Sequence, residues 1–378
     1  MMQSPIGRDL FSSSHYGQAS GILFETEDEA WAHYLAAGKE NNAAPAPHFL
    51  PNWYRWQNPD HKSYPTLLEH FVTAGRSRFI DPSPFVDLTQ VARNTGAETT
   101  IEAYRNLFTE SLNGKMGFFA NYSEMQSYQE AFLSRLNIEL LFDRREQSRP
   151  RKKLVWVQIG PDSAFRNWYK VAEARGWDLV LNWYGFDAVD LSIGEFSFAQ
   201  RGTKFTGVAQ ALKTYPSLFE QYEQILLLDD DLIFEFDDID RIFDTAADKN
   251  LSLFQAGLTS ESHCIWPALK DRKSRGVKPF NTVEIMMPGF SMDFLRQIAH
   301  LFDETISGFG LDLAYGVMAH RLGLNAGVIF DVRARHLKPI DTTGGAYYDY
   351  MRSNGINPKL ELWHLIETYE PSLDIKPT

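Results

Sequence analysis

Three carboxylates, Asp229, Asp230 and Asp231, follow directly on the aliphatic run Ile225-Leu226-Leu227-Leu228. Like charges in a row repel one another, and neither sheet packing nor solubility requires them at that point. A hard divalent cation such as Mg2+ or Mn2+ relieves the repulsion, because it prefers oxygen ligands. An ion held in this way could carry the phosphates of a nucleotide. If the chain is still extended there, Asp229 and Asp231 point to the same side. On these residues alone a plainer reading stands equal: the acids face solvent at a strand end.

Asp312 stands behind Gly308-Phe309-Gly310. The glycines permit a tight turn or a close approach to a ligand. Leu313, Tyr315, Val317 and Met318 place the acid in the first turn of a helix. It is either an ordinary N-terminal helix acid or a carboxylate that accepts a proton from an attacking hydroxyl. His336 lies in Arg333-Ala334-Arg335-His336-Leu337-Lys338. A lone histidine is usually structural; between Arg and Lys it also suits a metal ligand beside a diphosphate whose oxygens the cations hold. Glu284 and His263 are weaker candidates for meeting a substrate hydroxyl. Cys264 has no visible base to activate it and reads as inert. Neither GxGxxG nor GxxxxGK[ST] occurs, so the glycine-rich phosphate loops they mark are not indicated.

These groups need a sheet to hold them. The run Ile225 to Leu228 has the length and character of a buried strand, and acids at its end fall where open α/β sheets bind ligands. Leu154 to Ile159 predicts another strand, ended by Gly160-Pro161-Asp162. Residues 165–175 predict a helix stopped at Gly176, and Trp177 to Trp183 a further strand. This order opens a parallel sheet. Lys204 to Thr214 predicts a helix, Leu251 to Ala256 a strand, Glu284 to Phe290 a short broken strand, Asp293 to Asp303 a helix and Val328 to Phe330 a late strand. Asp237, Asp238 and Asp240 open a helix and read as capping acids. The fold class is α/β, a mostly parallel sheet flanked by helices.

Ahead of the sheet the pattern is helical. Residues 1–20 read as a flexible lead-in. Glu25 to Lys39 predicts a helix closed by Gly38, and Pro65 opens a second one stopped at Gly75. His33-Tyr34-Leu35-x-x-Gly38 returns as His70-Phe71-Val72-x-x-Gly75, a degenerate repeat. Further helices are expected at Leu88 to Thr95, Glu98 to Ser111 and Ser123 to Leu141. The domain boundary is expected in the charged stretch Asp143 to Lys153. This gives a helical module over 21–145, an α/β domain over 150–345, and a tail over 346–378 that turns helical around Leu360 and packs on the sheet domain.

The 378 residues carry a formal charge of −12 and are 44% hydrophobic and 14% aromatic. Wholesale disorder does not fit that composition, and a general nucleic-acid binder would carry a basic field instead. Local basic stretches occur at Arg149 to Lys153 and Lys270 to Lys278. With Cys264 as the single cysteine, no intrachain disulfide can form, which points to a reducing compartment. Met1 to Ser14 lacks the apolar core of a signal peptide, and no apolar run approaches spanning length. A cytoplasmic protein is expected, with a peripheral contact at the inner face of the membrane as one option.

An aliphatic strand ending in Asp229-x-Asp231, in an α/β domain without a Rossmann fingerprint, resembles the DxD motif of GT-A-fold glycosyltransferases. Leu226-Leu227-Leu228-Asp229-Asp230-Asp231, Gly308-Phe309-Gly310-Leu311-Asp312 and His336 together resemble the DUF707 family, over about Lys153 to Pro339. The resemblance implies a GT-A-like domain that moves a sugar from a nucleotide-diphosphate sugar to a hydroxyl of a glycan or lipid-linked acceptor, with Mn2+ or Mg2+ as cofactor. It implies that Asp231 and His336 hold the metal and that Asp229 lies on the ribose side or at the metal. Asp312 would face the acceptor. Gly160, Pro161, Asp162, Lys204, Asp230 and Lys338 would contact the nucleotide. Trp183, Tyr184, Phe309 and Tyr347 are aromatic candidates for shielding the site or stacking on sugar.

Phe49-Leu50-Pro51-Asn52-Trp53-Tyr54, Pro65, Leu68, His70-Phe71, Gly75, Arg78 and Pro82-Ser83-Pro84-Phe85-Val86-Asp87 resemble a short module attached to bacterial glycosyltransferases of capsular and other surface polysaccharides. It implies polysaccharide-assembly partners, an acceptor chain or a membrane contact. Two rival functions remain at this level. One is a catalytically inactive nucleotide- or glycan-binding scaffold. The other is a metal-dependent nucleotidyltransferase or phosphohydrolase.

Overall fold

The computed structural model describes residues 6–109, 119, 121–145, 150–169, 175–185, 190–339 and 345–378. The chain divides into two compact units, Met1–Met125 with Thr342–Trp363, and Gln126–Asp341 with His364–Thr378. The division therefore falls before the charged stretch at 143–153, and the C-terminal tail is shared between the two units.

The first unit is helical. Its helices are α1 (Ser13–Ser20), α2 (Glu27–Ala37), α3 (Pro51–Gln57), α4 (Leu67–Ala74), α5 (Leu88–Thr95) and α6 (Thr100–Thr109), and α1 packs on α2, α3 on α4 and α5 on α6. The stretch expected to be a loose lead-in contains α1. Tyr16 is fully buried among the rings of Phe11 and Tyr34, and burying aromatic area orders the segment. The repeat extends to hydrogen bonds. The Tyr16 hydroxyl meets His33 Nδ1 at 2.9 Å, and the Tyr54 hydroxyl meets His70 Nδ1 at 2.7 Å. Lys359 pairs with the buried Asp81 and ties the returning segment into this unit.

The helix α7 (Tyr122–Leu133) ends earlier than its apolar spacing suggests, and Glu139–Asp143 is a strand, β1. Leu140 and Phe142 sit opposite Phe198 and Ser197 of β4 (Phe196–Ala199), so pairing at a sheet edge overrides the helical pattern. The other strands of the second unit are β2 (Lys153–Ile159), β3 (Trp177–Trp183), β5 (Gln224–Leu228), β6 (Leu232–Ile233), β7 (Leu253–Leu258), β8 (Val277–Pro279), β9 (Gly289–Ser291) and β10 (Ala326–His336). They form one sheet in the order β1-β4-β3-β2-β5-β9-β7-β10-β6, with β8 beside β10. The run β4-β3-β2-β5 is parallel, as is β7-β10; β9 enters antiparallel between them. The expected α/β class with a sheet flanked by helices is what the structure has. Of the stretch expected as a broken strand at 284–290, only its end is strand.

Every residue of β3 and β5 is buried, as strands covered on both faces require; β5 is apolar from Ile225 to Leu228, whereas β3 also buries Asp178 and Asn182. Helices α8 (Phe165–Trp168), α9 (Lys204–Thr214), α10 (Asp238–Asp248), α11 (Met292–Ile298) and α12 (Leu311–Arg321) accompany the sheet, and α13 (Ala346–Ser353) and α14 (Pro358–Tyr369) follow it in sequence. Residues 170–174, in the longer helix expected from 165, lie outside the described residues. Asp238 and Asp240 act structurally: Asp238 pairs with Arg241, and Asp240 accepts the Gly176 N–H at 3.1 Å.

At the far end of β3 from the acids, buried Asp178 accepts from Arg151 at 2.8 Å and from the Tyr222 hydroxyl at 2.6 Å. Asp178→Asn takes the carboxylate from Tyr222 and leaves Arg151 with Glu195, at 3.2 Å, as its remaining charge partner. It should lower unfolding stability by about 2 kcal/mol. The denaturant midpoint should fall at unchanged m-value, with no change in ligand binding.

Candidate functional site

The aliphatic strand β5 delivers Asp229, Asp230 and Asp231 to the end of the sheet, and the chain then turns into β6. There β6 pairs antiparallel with the last residues of β10, with Leu232 opposite His336 and Ile233 opposite Arg335. Leu337 N–H donates to the Asp231 carbonyl at 3.0 Å. This pairing brings a histidine from late in the chain beside the triplet.

The three acids have three different surroundings. Asp229 pairs with Lys204 Nζ at 2.6 Å. Lys204 opens α9 behind a Thr203 capping box and is buried; its ammonium also donates to the carbonyls of Ile285 and Met286. All three of its N–H bonds thus have protein acceptors. Burial pushes the Asp229 carboxyl up, against the pull of Lys204. Asp230 accepts from the Tyr184 hydroxyl at 2.8 Å and from Lys338 at 3.3 Å. Burial, then the Asp230 charge, raises the Tyr184 phenol. The Lys338 ammonium is depressed by burial but raised overall by Asp230 and Asp231.

Asp231 Oδ2 lies 3.2 Å from His336 Nε2. Burial alone would raise this carboxyl, but the His336 hydrogen bond and charge hold it below the usual range. Conversely, burial would lower the imidazole, and Asp231 raises it instead. His336 Nδ1 sits 2.6 Å from the His263 carbonyl. A carbonyl can only accept, so Nδ1 carries the proton. Nε2 then faces a carboxylate as either an imidazolium N–H or a lone pair that needs a cation. A ring nitrogen fixed by a backbone carbonyl is the usual outer support of a metal-bound histidine.

Among the described residues, no group of three or more His, Cys, Asp and Glu side chains converges as a metal cage. Asp231 and His336 are a pair. One carboxylate and one imidazole still suit an ion that takes its remaining ligands from water and phosphate oxygens, as Mg2+ commonly does. The donor set therefore fits such an ion with a bound diphosphate and does not fit an all-protein metal site.

Gly160 ends β2, and the Tyr184 ring lies across it: a Cβ at Gly160 would come within 2.2 Å of that ring. Ala164 N–H donates to the Asp230 carbonyl at 2.6 Å, so the turn carrying Pro161 and Asp162 is tied to the triplet. Pro161 and Asp162 are exposed there. Trp183 stacks beside Tyr184 with centroids 6.4 Å apart. Tyr347 belongs to the other compact unit.

Asp312 stands in the first turn of α12, whose N-cap Gly310 has φ 85°. Gly308 is also left-handed at φ 84°, and a side chain there would meet Phe205 at 2.7 Å. The two glycines thus serve a conformation and a close approach that other residues resist. Asp312 is 7% exposed and accepts the Leu313 N–H at 3.0 Å. It has no ion pair among the described residues. Burial pushes its carboxyl up to about 7.

The segment 282–286 runs between this helix and the triplet. Thr282 donates to the Asp312 carbonyl, and the Tyr315 hydroxyl donates to the Val283 carbonyl at 2.7 Å. On the other side Ile285 and Met286 receive Lys204, and Asp229 N–H donates to Met286 at 3.0 Å. Glu284 stands between these anchors, where it accepts from Met286 N–H at 2.6 Å. Burial, then the Asp312 charge, raises its carboxyl. Glu284 was a weak signal in the sequence; only the chain path shows it between Asp229 and Asp312. Cys264 is an inert thiol, pushed up to about 12 by burial.

No family model matches the chain, so neither the DUF707 resemblance nor that of the helical module gains support there. No curated protein matches it. Among solved structures, A197 from STIV is similar with TM-score 0.32 and 11% identity, over 50% of this chain and 86% of that one. A protein named "putative nucleotide-diphospho-sugar transferase" from Desulfovibrio desulfuricans G20 is similar with TM-score 0.31 and 12% identity, over 58% of this chain and 98% of that one. At such scores neither likeness carries an argument about activity.

Proposed function

We propose that the chain is a metal-dependent glycosyltransferase that moves a sugar from a nucleotide-diphosphate sugar to a hydroxyl of a glycan or lipid-linked acceptor. The observation that carries this reading is the Asp231–His336 contact, with Nδ1 of the histidine held by the His263 carbonyl. Asp231 and His336 would hold Mn2+ or Mg2+, whose contribution when bound is to neutralise the leaving diphosphate. Lys338, beside Asp230, would reach diphosphate oxygens. The turn Gly160, Pro161 and Asp162 and the Tyr184 ring would receive the nucleoside. Asp230 orients Tyr184, and Lys204 orients Asp229 rather than a phosphate.

Asp312 would face the acceptor hydroxyl. In an inverting transfer it takes the hydroxyl proton as the oxygen attacks the anomeric carbon and the nucleoside diphosphate leaves. In a retaining transfer it positions the acceptor. The division into a helical module and a catalytic domain, and a role in surface-polysaccharide synthesis at the cytoplasmic face of the membrane, belong to the same proposal.

Calorimetry with a panel of nucleoside diphosphates, with Mn2+ and with EDTA, tests it. One base should bind in the micromolar range with Mn2+ and at least about 30-fold more weakly in EDTA. Absence of binding to every member with metal present would overturn the donor site and favour a scaffold. Release of pyrophosphate instead of nucleoside diphosphate would favour a nucleotidyltransferase.

A further inference from the structure

The basic stretch at 270–278 takes no part in the site just described. Three segments gather it around the end of β10. Arg333 donates to the carbonyls of Asp271 at 2.9 Å and Ser274 at 3.1 Å, which fastens loop 271–276 to the strand. Gly276 N–H donates to Asp331 at 2.8 Å. Arg272 reaches Ser260, in the loop after β7, and that loop is tied to β10 by Thr259 N–H to Ala334 and His263 N–H to His336. Arg272, Lys273, Arg275, Arg335 and Lys338 are all exposed on this surface.

The acids in the same surface are exposed but engaged, Asp271 and Asp331 by backbone donors and Glu261 by Arg272 at 3.6 Å. Asp271 accepts the Lys273 N–H at 2.9 Å, and Asp331 accepts from Gly276. Lys273 and Arg335 have no ion pair among the described residues. On a chain of formal charge −12, a fastened cationic surface lets an anionic partner approach with less repulsion than the chain's net charge imposes. Ile265, in the loop joined to it through Lys270 and the Cys264 carbonyl at 3.1 Å, is 63% exposed. An exposed isoleucine offers nothing to a polyanionic glycan, whereas beside lysines and arginines it suits insertion among lipid headgroups.

We propose that this surface seats the protein on an anionic membrane, with Lys273, Arg275 and Arg335 against phosphate headgroups and Ile265 in the interface. Lys338 continues the surface to the Asp230 carboxylate, so the mouth of the candidate site opens at the lipid boundary. On the transferase reading, a lipid-linked acceptor would be presented there. The seating itself does not depend on that reading.

Co-sedimentation of the full chain with phosphatidylcholine vesicles, with and without phosphatidylglycerol, tests this. Binding should require phosphatidylglycerol and weaken roughly 10-fold or more between about 0.05 and 0.3 M NaCl. Lys273→Glu with Arg275→Glu and Arg335→Glu should weaken it by roughly 100-fold. Ile265→Ser should weaken it several-fold at high salt. All four residues are exposed, so thermal unfolding should match wild type and report that the variants fold. No binding to the anionic vesicles, equal binding to neutral ones, or retention by the charge-reversed chain would overturn the proposal. So would binding to soluble dextran sulfate with none to vesicles, which would assign the surface to a polyanionic glycan. Nucleotide calorimetry on the same samples reads the donor site separately, so failure of one proposal is distinguishable from failure of the other.

Discussion

Asp312→Asn should lower sugar transfer by roughly 1,000-fold and leave metal-dependent nucleotide affinity within about 3-fold of wild type. The expectation rests on where the carboxylate is and what it lacks. It is buried, held by a backbone N–H, and has no cation among the described residues, which is a costly setting for a charge. An amide there keeps the shape and loses the basicity. Because burial pushes the carboxyl up to about 7, wild-type transfer should fall as pH drops through that value, while the residual transfer of Asp312→Asn should show no such limb.

The stability of the fold should move the opposite way. A carboxyl whose folded pKa lies above its unfolded value stabilises the fold below the unfolded pKa, and that contribution is lost as pH rises toward about 7. At pH 8 the native chain holds an ionised buried group, so Asp312→Asn should be more stable there, by on the order of 2 kcal/mol, and differ less at pH 4. Glu284 stands next in the chain path and is raised by burial and by Asp312. Glu284→Gln should therefore be milder than Asp312→Asn, with transfer down about 10-fold, since the amide replaces a carboxyl that burial already keeps protonated. Transfer by Asp312→Asn at the wild-type rate would remove Asp312 from the chemistry.

The elements that announced themselves were those whose burial is continuous. The runs Leu154–Ile159, Trp177–Trp183 and Ile225–Leu228 are mostly apolar because both faces are covered, with Gln158, Asp178 and Asn182 as their buried polar exceptions, and each is a central strand. Gly308 and Gly310 flagged a special backbone, and both have positive φ. What stayed hidden depends on partners distant in sequence. The short strand β6 has no signature of its own; it exists because β10 returns beside it, and through it His336 meets Asp231. Strand β1 is Glu-Leu-Leu-Phe-Asp, which continues a helical spacing just as well, and its edge pairing with β4 decides. The resemblance implies a nucleotide contact for Lys204, and in the fold its ammonium meets Asp229 and the carbonyls of Ile285 and Met286. The sequence shows that three acids lie together; that each has a different partner is a property of the fold.

That difference sets the last expectation, in which two aspartates of one triplet answer differently to the same substitution. Asp231→Ala removes a buried carboxylate whose partner, His336, can lose its proton once the counter-charge is gone. The chain should stay folded, and Mn2+-dependent nucleotide affinity should fall by about 100-fold, toward the wild-type value in EDTA. Asp229→Ala instead strands a buried ammonium beside two carbonyls. It should lower stability by about 1–3 kcal/mol, less than breaking a fully buried pair, because the Asp229 side chain is 37% exposed and solvent screens the pair. Lys204→Met alone leaves the partly exposed Asp229 carboxylate without its counter-charge and should destabilise less than Asp229→Ala. The two changes combined remove both charges and should be less destabilising than their sum. Denaturation midpoints for the four chains, with nucleotide calorimetry at a temperature where each is folded, separate the cases. Equal destabilisation by Asp231→Ala and Asp229→Ala, with nucleotide affinity unchanged in both, would make the triplet a structural feature and the donor site would lie elsewhere.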